Sequence, residues 1–218
     1  MLPMENRRMV LSAFAAPNGV PFAKRVLDVT LSAAALLALW PLLLCIAAAV
    51  CLDDSSAGPL YVSTRCGLDG RPFSMYKFRT MVAGAEGLQK ALESRNEMDG
   101  PAFKIRRDPR VTRVGRFLRR KSLDELPQLF NVLRGDMSLV GPRPPLPSEV
   151  ERYTARQRGR LSAVPGLTGP WQVRQDRYSL SFDDWVELDL QYIRSRSLRT
   201  DVILLMKTLA AVLKGSGV

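Results

Sequence analysis

Histidine is missing altogether from these 218 residues, and cysteine occurs only three times. Without imidazole there can be no Ser-His-Asp or Cys-His machinery and no zinc site with imidazole ligands. General acid or base work must then fall to carboxylates, Lys, Tyr or Cys. Cys45, Cys51 and Cys66 show no paired metal-binding spacing, and two lie in an apolar run, so they read as reduced fillers of a cytosol-facing chain. Acidic residues are also scarce: 21 Asp and Glu face 32 Lys and Arg, a formal charge of +11. So basic a chain suits nucleic acid, an anionic membrane surface or phosphorylated small molecules, and composition does not choose among them. No internal repeat is present, and with one apolar segment set aside the length suits one compact domain.

Charge vanishes completely from Val29 to Leu52. A run of about 20 or more apolar residues is long enough to cross a bilayer core as a helix. Pro41 sits at its midpoint, where an interior proline costs about 3 kcal/mol and bends the helix. Lys24 and Arg25 precede the run, and the chain beyond it is also basic. Cations favour the cytoplasmic side, so a proline-broken helix that enters and returns on one face satisfies both flanks, with a plain spanning anchor as the alternative. Asp28, one turn from Lys24 and Arg25, pairs with them at the membrane edge, either as a simple boundary or to hold the bend. Before this, residues Met1 to Val20 form a poorly patterned leader. Its Arg7, Arg8 and MVLSAFAA only faintly imitate a signal peptide. The expected division is therefore a leader over 1–20, a membrane helix over 21–54 and a cytosolic domain over 55–218.

After the acidic hinge Asp53-Asp54, PLYVSTR and RPFSMYKFRTM read as two strands joined by GLDG, a hairpin. Lys77 and Arg79 alternate with aromatics there, either as a solvated face or as phosphate contacts. AEGLQKALESRNEM has helical spacing. Nine cations lie between Lys104 and Lys121 against the single acid Asp108. With Val111, Val114, Phe117 and Leu118 interleaved, this run predicts an amphipathic helix on anionic headgroups. SEVERYTARQRGRL and FDDWVELDLQYIRSR read as helices, PGLTGPWQV as a loop, and DVILLMKTLAAVLKG as an apolar segment too short to span, which packs or lies in the interface.

The chemistry concentrates in KSLDELPQLFNVLRGDMSLVGPRP, Lys121 to Pro144. Ser122 and Glu125 have capping-box spacing, but Pro127 would interrupt that helix, so the regular helix alternatively begins at Pro127 and runs to about Leu133, ending at Gly135. Either way Asp124 and Glu125 stand at a helix N-terminus, which keeps both ionised unless they are deeply buried. Such a pair can simply cap a helix. Here cations bracket it: Arg119, Arg120 and Lys121 before it, and Arg143 in the turn Pro142-Arg143-Pro144 after it. That is the setting in which a negative substrate can approach a carboxylate nucleophile. Asp136 is a second ligand or, more simply, a turn residue.

These blocks taken in order (KRVLD, the proline-broken helix, GPLYVSTRCGLDGRPFSMYKFRTM, DPRVTRVGRFLRRKSLDELPQLFNVLRGDMSLVGPRP and PGLTGPWQV) resemble the monotopic phosphoglycosyl transferases, the bacterial sugar transferase family. The similarity covers Lys24 to about Lys214. It implies an α/β fold: a re-entrant membrane helix, a small mostly helical cytosolic domain, interfacial helices and a short β-hairpin. It implies transfer of a sugar 1-phosphate from a UDP-sugar to polyprenyl phosphate, with release of UMP and a requirement for Mg²⁺. By analogy Asp124 is the nucleophile and a metal ligand, and Glu125 its dyad partner. Arg119 and Arg143 would contact phosphates or nucleotide. Expected partners are the two substrates and membrane phospholipids, with a homodimer allowed. The expected location is the cytoplasmic face of a bacterial inner membrane. Nucleic acid is not an expected partner, since it would explain neither the apolar run nor the acids among arginines. Beside longer family members the chain is expected to lack their extra N-terminal membrane helices and domain, and the sugar is unassigned.

Overall fold

The computed structural model of the protein describes residues 21–177 and 179–215, so the expected leader lies outside the described residues. It is a mixed α/β fold. The chain enters through α1, Phe22–Asp53, a 32-residue helix with Pro41 inside it. By length and composition this helix could cross a membrane. Its middle is bare: Leu37, Trp40 and Leu44 are more than half exposed. Both of its ends pack on the rest of the molecule. Near the N-terminal end Lys24, Arg25, Asp28, Val29 and Ser32 are buried, and near the C-terminal end Ile46 and Val50.

The hairpin forms as its alternation predicts. β1, Leu60–Cys66, pairs antiparallel with β2, Pro72–Phe78. The register sets Tyr61 opposite Lys77, Ser63 opposite Met75 and Arg65 opposite Phe73, so these six side chains share one face. The helix expected over AEGLQKALESRNEM is replaced by turns and a 3₁₀ segment, Lys90–Arg95. The basic run is likewise helical only in its second half, as α2, Arg113–Arg120. Thr112 caps α2 by accepting from the Gly115 amide. The residues before it are held in loop and turns: Asn96 Oδ1 accepts from the Lys104 amide, and Met81 bridges to Val111. Leu118 of α2 is 2% exposed and packs with Ile46, Val50 and Phe78, a burial that contributes about 1.5–3 kcal/mol.

A single 3₁₀ turn, Leu123–Glu125, leads through Pro127 into α3, Gln128–Arg134, which stops at Gly135 with φ 90°. Of the two readings of this segment the proline-started helix is the one observed. Ser122 has φ 54° and makes no side-chain cap, so the capping box does not form. β3, Ser138–Val140, then pairs in parallel with β4, Gly166–Thr168, which falls inside the expected PGLTGPWQV loop. The expected helix SEVERYTARQRGRL breaks into α4, Pro147–Glu151, α5, Ala155–Arg158, and a 3₁₀ turn, Gly159–Ser162. α6, Phe182–Ser195, starts at a Ser181 capping box, and α7, Leu198–Lys214, at a Ser197 cap. One core gathers Met75, Leu129, Val132, Val140, Tyr192 and Leu204; a second gathers Tyr153, Trp171, Phe182, Trp185 and Val186.

Candidate active site

The 3₁₀ turn carrying Asp124 and Glu125 is fixed from behind by α3 and in front by β2. Asn131 of α3 is wholly buried. Its Oδ1 accepts from the Tyr76 amide at 3.0 Å and its Nδ2 donates to the Ser74 carbonyl at 2.7 Å, so a side chain takes the place of a neighbouring strand. This ties the helix that follows the acids to the strand that carries Lys77. Lys77 Nζ then donates to Glu125 Oε1 at 2.6 Å, and Arg143 Nη1 stands 3.7 Å from the same oxygen.

The two acids are treated differently. Glu125 is clamped by two cations, whereas no cation of the described residues lies within 4.0 Å of the Asp124 carboxylate. Asp124 is 7% exposed. Burial, reinforced by nearby Glu125, pushes its carboxyl above the ordinary range against the pull of Lys77 and Arg119. Burial acts on Glu125 too, but Lys77 and Arg143 outweigh it and hold that carboxyl below its usual value. Deep burial is the exception that the helix-terminus expectation allowed for, and it acts on both acids; the cations on Glu125 separate the pair.

The turn Pro142-Arg143-Pro144 reaches the acids because the parallel β3–β4 ladder delivers it. The Gly166 amide donates to the Pro142 carbonyl at 2.9 Å and the Gly141 amide to Thr168 at 2.9 Å. A Cβ on Gly166 would meet the Gly141 nitrogen at 2.0 Å, so the two backbones touch where no side chain fits. Beneath the turn Arg160, 4% exposed, pairs with the fully buried Asp189 at 2.7 Å and points Nη2 at the Arg143 carbonyl.

A small cavity of about 10 Å³, roughly the space of one water, opens beside Glu125, lined by Arg65, Met75, Lys77, Gln128, Arg143, Pro144, Leu167 and Gln172 among others. Of the residues expected at the site, Lys77, Glu125, Arg143 and Pro144 therefore converge on the cavity, Asp124 stands next to Glu125 without lining it, and Pro142 holds the ladder. Arg119 stays outside the cavity: its Nε donates to Thr80 Oγ1 at 2.9 Å, and it acts on Asp124 only through its charge. Arg79 is elsewhere. It binds the Asp54 carboxylate at 2.6 Å and the Gly58 and Ala57 carbonyls, stapling the end of α1 to β2. The sharing of one face with Lys77 fails because β2 ends at Phe78.

The residues expected to hold the membrane bend stand at least 13 positions before Pro41 and grip the domain. Lys24 Nζ donates to Asp201 of α7 at 2.7 Å, and Asp28 Oδ1 accepts from the Leu139 amide at 3.0 Å. Arg25 donates to the Val132 and Leu133 carbonyls at 2.6 and 2.7 Å, closing the C-terminal end of α3. Asp136 is a turn residue, accepting from Asn131 Nδ2 at 3.2 Å.

Arg65, Gln128 and Gln172 are missing from the sequence reading. Strand parity carries the signal for Arg65, which shares its face with Met75 and Lys77; nothing local marks the two glutamines.

The family model described as bacterial sugar transferase matches residues 20–215. Among similar proteins, the galactosyl transferase CpsE of Streptococcus agalactiae serotype III is 44% identical over 199 residues, 89% of this chain and 43% of its own length. A UDP-glucose:undecaprenyl-phosphate glucose-1-phosphate transferase of Caulobacter vibrioides is 45% identical over 206 residues, covering 89% and 71%. The exopolysaccharide production protein ExoY of Rhizobium meliloti is 40% identical over 202 residues, covering 89% and 87%. The chain spans less than half the length of CpsE and of some other similar proteins, among them an undecaprenyl-phosphate galactose phosphotransferase of Salmonella typhimurium. With the match running from before the apolar helix to the end of α7, this chain belongs to the bacterial sugar transferase family.

Proposed function

We propose that the protein moves a sugar 1-phosphate from a UDP-sugar to polyprenyl phosphate at the cytoplasmic face of a bacterial inner membrane, an initiating step of polysaccharide or glycoconjugate synthesis. The observation that carries this reading is the unequal dyad: a buried aspartate free of ion pairs beside a glutamate clamped by Lys77 and Arg143. A carboxylate tied up in a salt bridge is a poor attacker, so Asp124 is the nucleophile and Glu125 holds the cations in place. An Asp124 oxygen attacks the sugar-bearing phosphorus, the bond to the bridging oxygen breaks, and UMP leaves. A polyprenyl-phosphate oxygen then attacks the same phosphorus, and the carboxylate of Asp124 leaves in turn.

Among the described residues no three metal-ligating side chains gather, so there is no all-protein cage. Mg²⁺ needs none, since it is commonly held by one or two carboxylates together with substrate phosphates. Asp124 fits as that carboxylate, and the ion would supply charge neutralisation between nucleophile and diphosphate.

The bare middle of α1 suits a helix that bends at Pro41, enters the bilayer and returns, since both of its ends are fastened to one domain. Exposed Phe117 with Arg113, Arg116 and Arg120 on α2, and Val202, Met206, Leu209 and Leu213 on α7, suit an interface with phospholipid headgroups and acyl chains.

The test is a panel of UDP-sugars with polyprenyl phosphate, Mg²⁺ and detergent, read as UMP released, with intact mass after incubation with donor alone. One UDP-sugar should yield UMP and a phosphosugar adduct. The reading fails if none yields UMP, or if UMP forms only when both substrates are present and rapid quench finds no adduct.

A further inference from the structure

Arg65 is a cation without a counter-ion. It projects from β1 into the cavity beside Glu125, and among the described residues no carboxylate lies within 4.0 Å of it. One bond holds it, from Nη1 to the Pro144 carbonyl at 3.3 Å, and its buried Nε has no partner. Burial and the like charge of Arg143 bring its pKa down to about 10. A half-buried guanidinium beside a second guanidinium is unfavourable unless an anion joins them. Neighbouring groups in the same cavity are also unsatisfied. Gln128, 2% exposed, leaves Nε2 unpartnered, and Gln172 leaves Oε1 unpartnered while its Nε2 donates to the Leu167 carbonyl at 3.3 Å. The cavity therefore offers two idle N–H donors, one of them cationic, and one idle acceptor. Phosphate oxygens answer the donors, and a hydroxyl answers the acceptor.

Resting on the transferase reading above, the geometry points to Arg65, with Gln128 and Gln172, as the group of contacts that takes a phosphate oxygen and a sugar hydroxyl of the nucleotide donor. The bare phosphate of a polyprenyl acceptor brings no sugar hydroxyl for Gln172, which is why these contacts are assigned to the donor.

The full chain in detergent, as wild type, Arg65→Lys and Gln172→Glu, tests this with UMP release titrated separately against UDP-sugar and polyprenyl phosphate. Arg65→Lys keeps the charge but loses the fork, and Gln172→Glu brings a negative charge into the cavity that the donor's phosphate shares and sets an oxygen against the Leu167 carbonyl. Each should raise the donor KM about tenfold or more, slow adduct formation at low donor, and leave the acceptor KM within about twofold. UDP-sugar should raise the Tm of the wild type and of neither variant. The assignment is overturned if the acceptor KM rises instead, or if both KM values hold while Tm and kcat fall together. Should Arg65→Lys fail to fold, Gln172→Glu decides alone. Failure of the parent reading looks different, because the wild type itself would then release no UMP.

Discussion

Glu125 Oε1 is shared by Lys77 and Arg143, and that sharing sets what each substitution costs. Asp124→Asn keeps the shape but removes the attacker, so UMP release should fall to background and no adduct should form. Glu125→Gln leaves Lys77 and Arg143 without their carboxylate, and a loss of about a hundredfold in kcat is expected. The pH profile follows from the directions of the shifts. In the proposed reaction Asp124 acts as the carboxylate, and burial places its titration above that of an ordinary aspartate, so activity should rise with pH over a window displaced upward. Burial lowers the Lys77 ammonium, so the alkaline limb should fall below the pH of an ordinary lysine. Lys77→Arg should push that limb upward while leaving the acid limb in place; a fixed alkaline limb would remove Lys77 from the profile. The acids and the Pro-Arg-Pro turn are legible in the sequence because their charges cluster locally. Arg65 is not, because a single arginine in a strand looks solvated until its cross-strand neighbours are known.

At the scale of elements, two close contacts fix how far the site tolerates change. A Cβ on Gly115 of α2 would meet the Thr80 carbonyl oxygen at 2.2 Å. Gly115→Ala should therefore push α2 off β2 and disturb the Arg119–Thr80 bond, costing about 1–3 kcal/mol in thermal unfolding. The buried Arg160–Asp189 pair under the Pro-Arg-Pro turn is a second lever. Asp189→Asn strands a buried guanidinium, so a loss of about 3–5 kcal/mol is expected, together with reduced activity through the Arg143 backbone. The hairpin and α6 could be read ahead because alternation and an apolar stripe are local signals, and the stretch that forms α7 is legible as an apolar segment. The three-residue strands β3 and β4 could not. Each is shorter than any periodic window, and their pairing joins residues 138 and 166. The basic run misleads for a related reason: Asn96 and Met81 hold its first half in loop and turns through contacts that its composition does not show.

Across the whole molecule, the exposed apolar residues of α1, α2 and α7 should govern lipid partition separately from chemistry. Met206→Glu with Leu213→Glu, at positions 63% and 73% exposed, should leave the fold and adduct formation from UDP-sugar intact while lowering liposome co-sedimentation and turnover with polyprenyl phosphate; unchanged co-sedimentation would remove α7 from the interface. The ion pair between residues 24 and 201, nearly the full chain apart, could not be foreseen from either end. It has a practical outcome together with the Arg25 clasp on α3. Trimming the protein back to Ser55 to make a water-soluble catalytic fragment would strip the lid from α3 and uncover Asp201. Such a fragment should precipitate on expression, because here the greasy tether and the keystone of the catalytic body are one and the same rod.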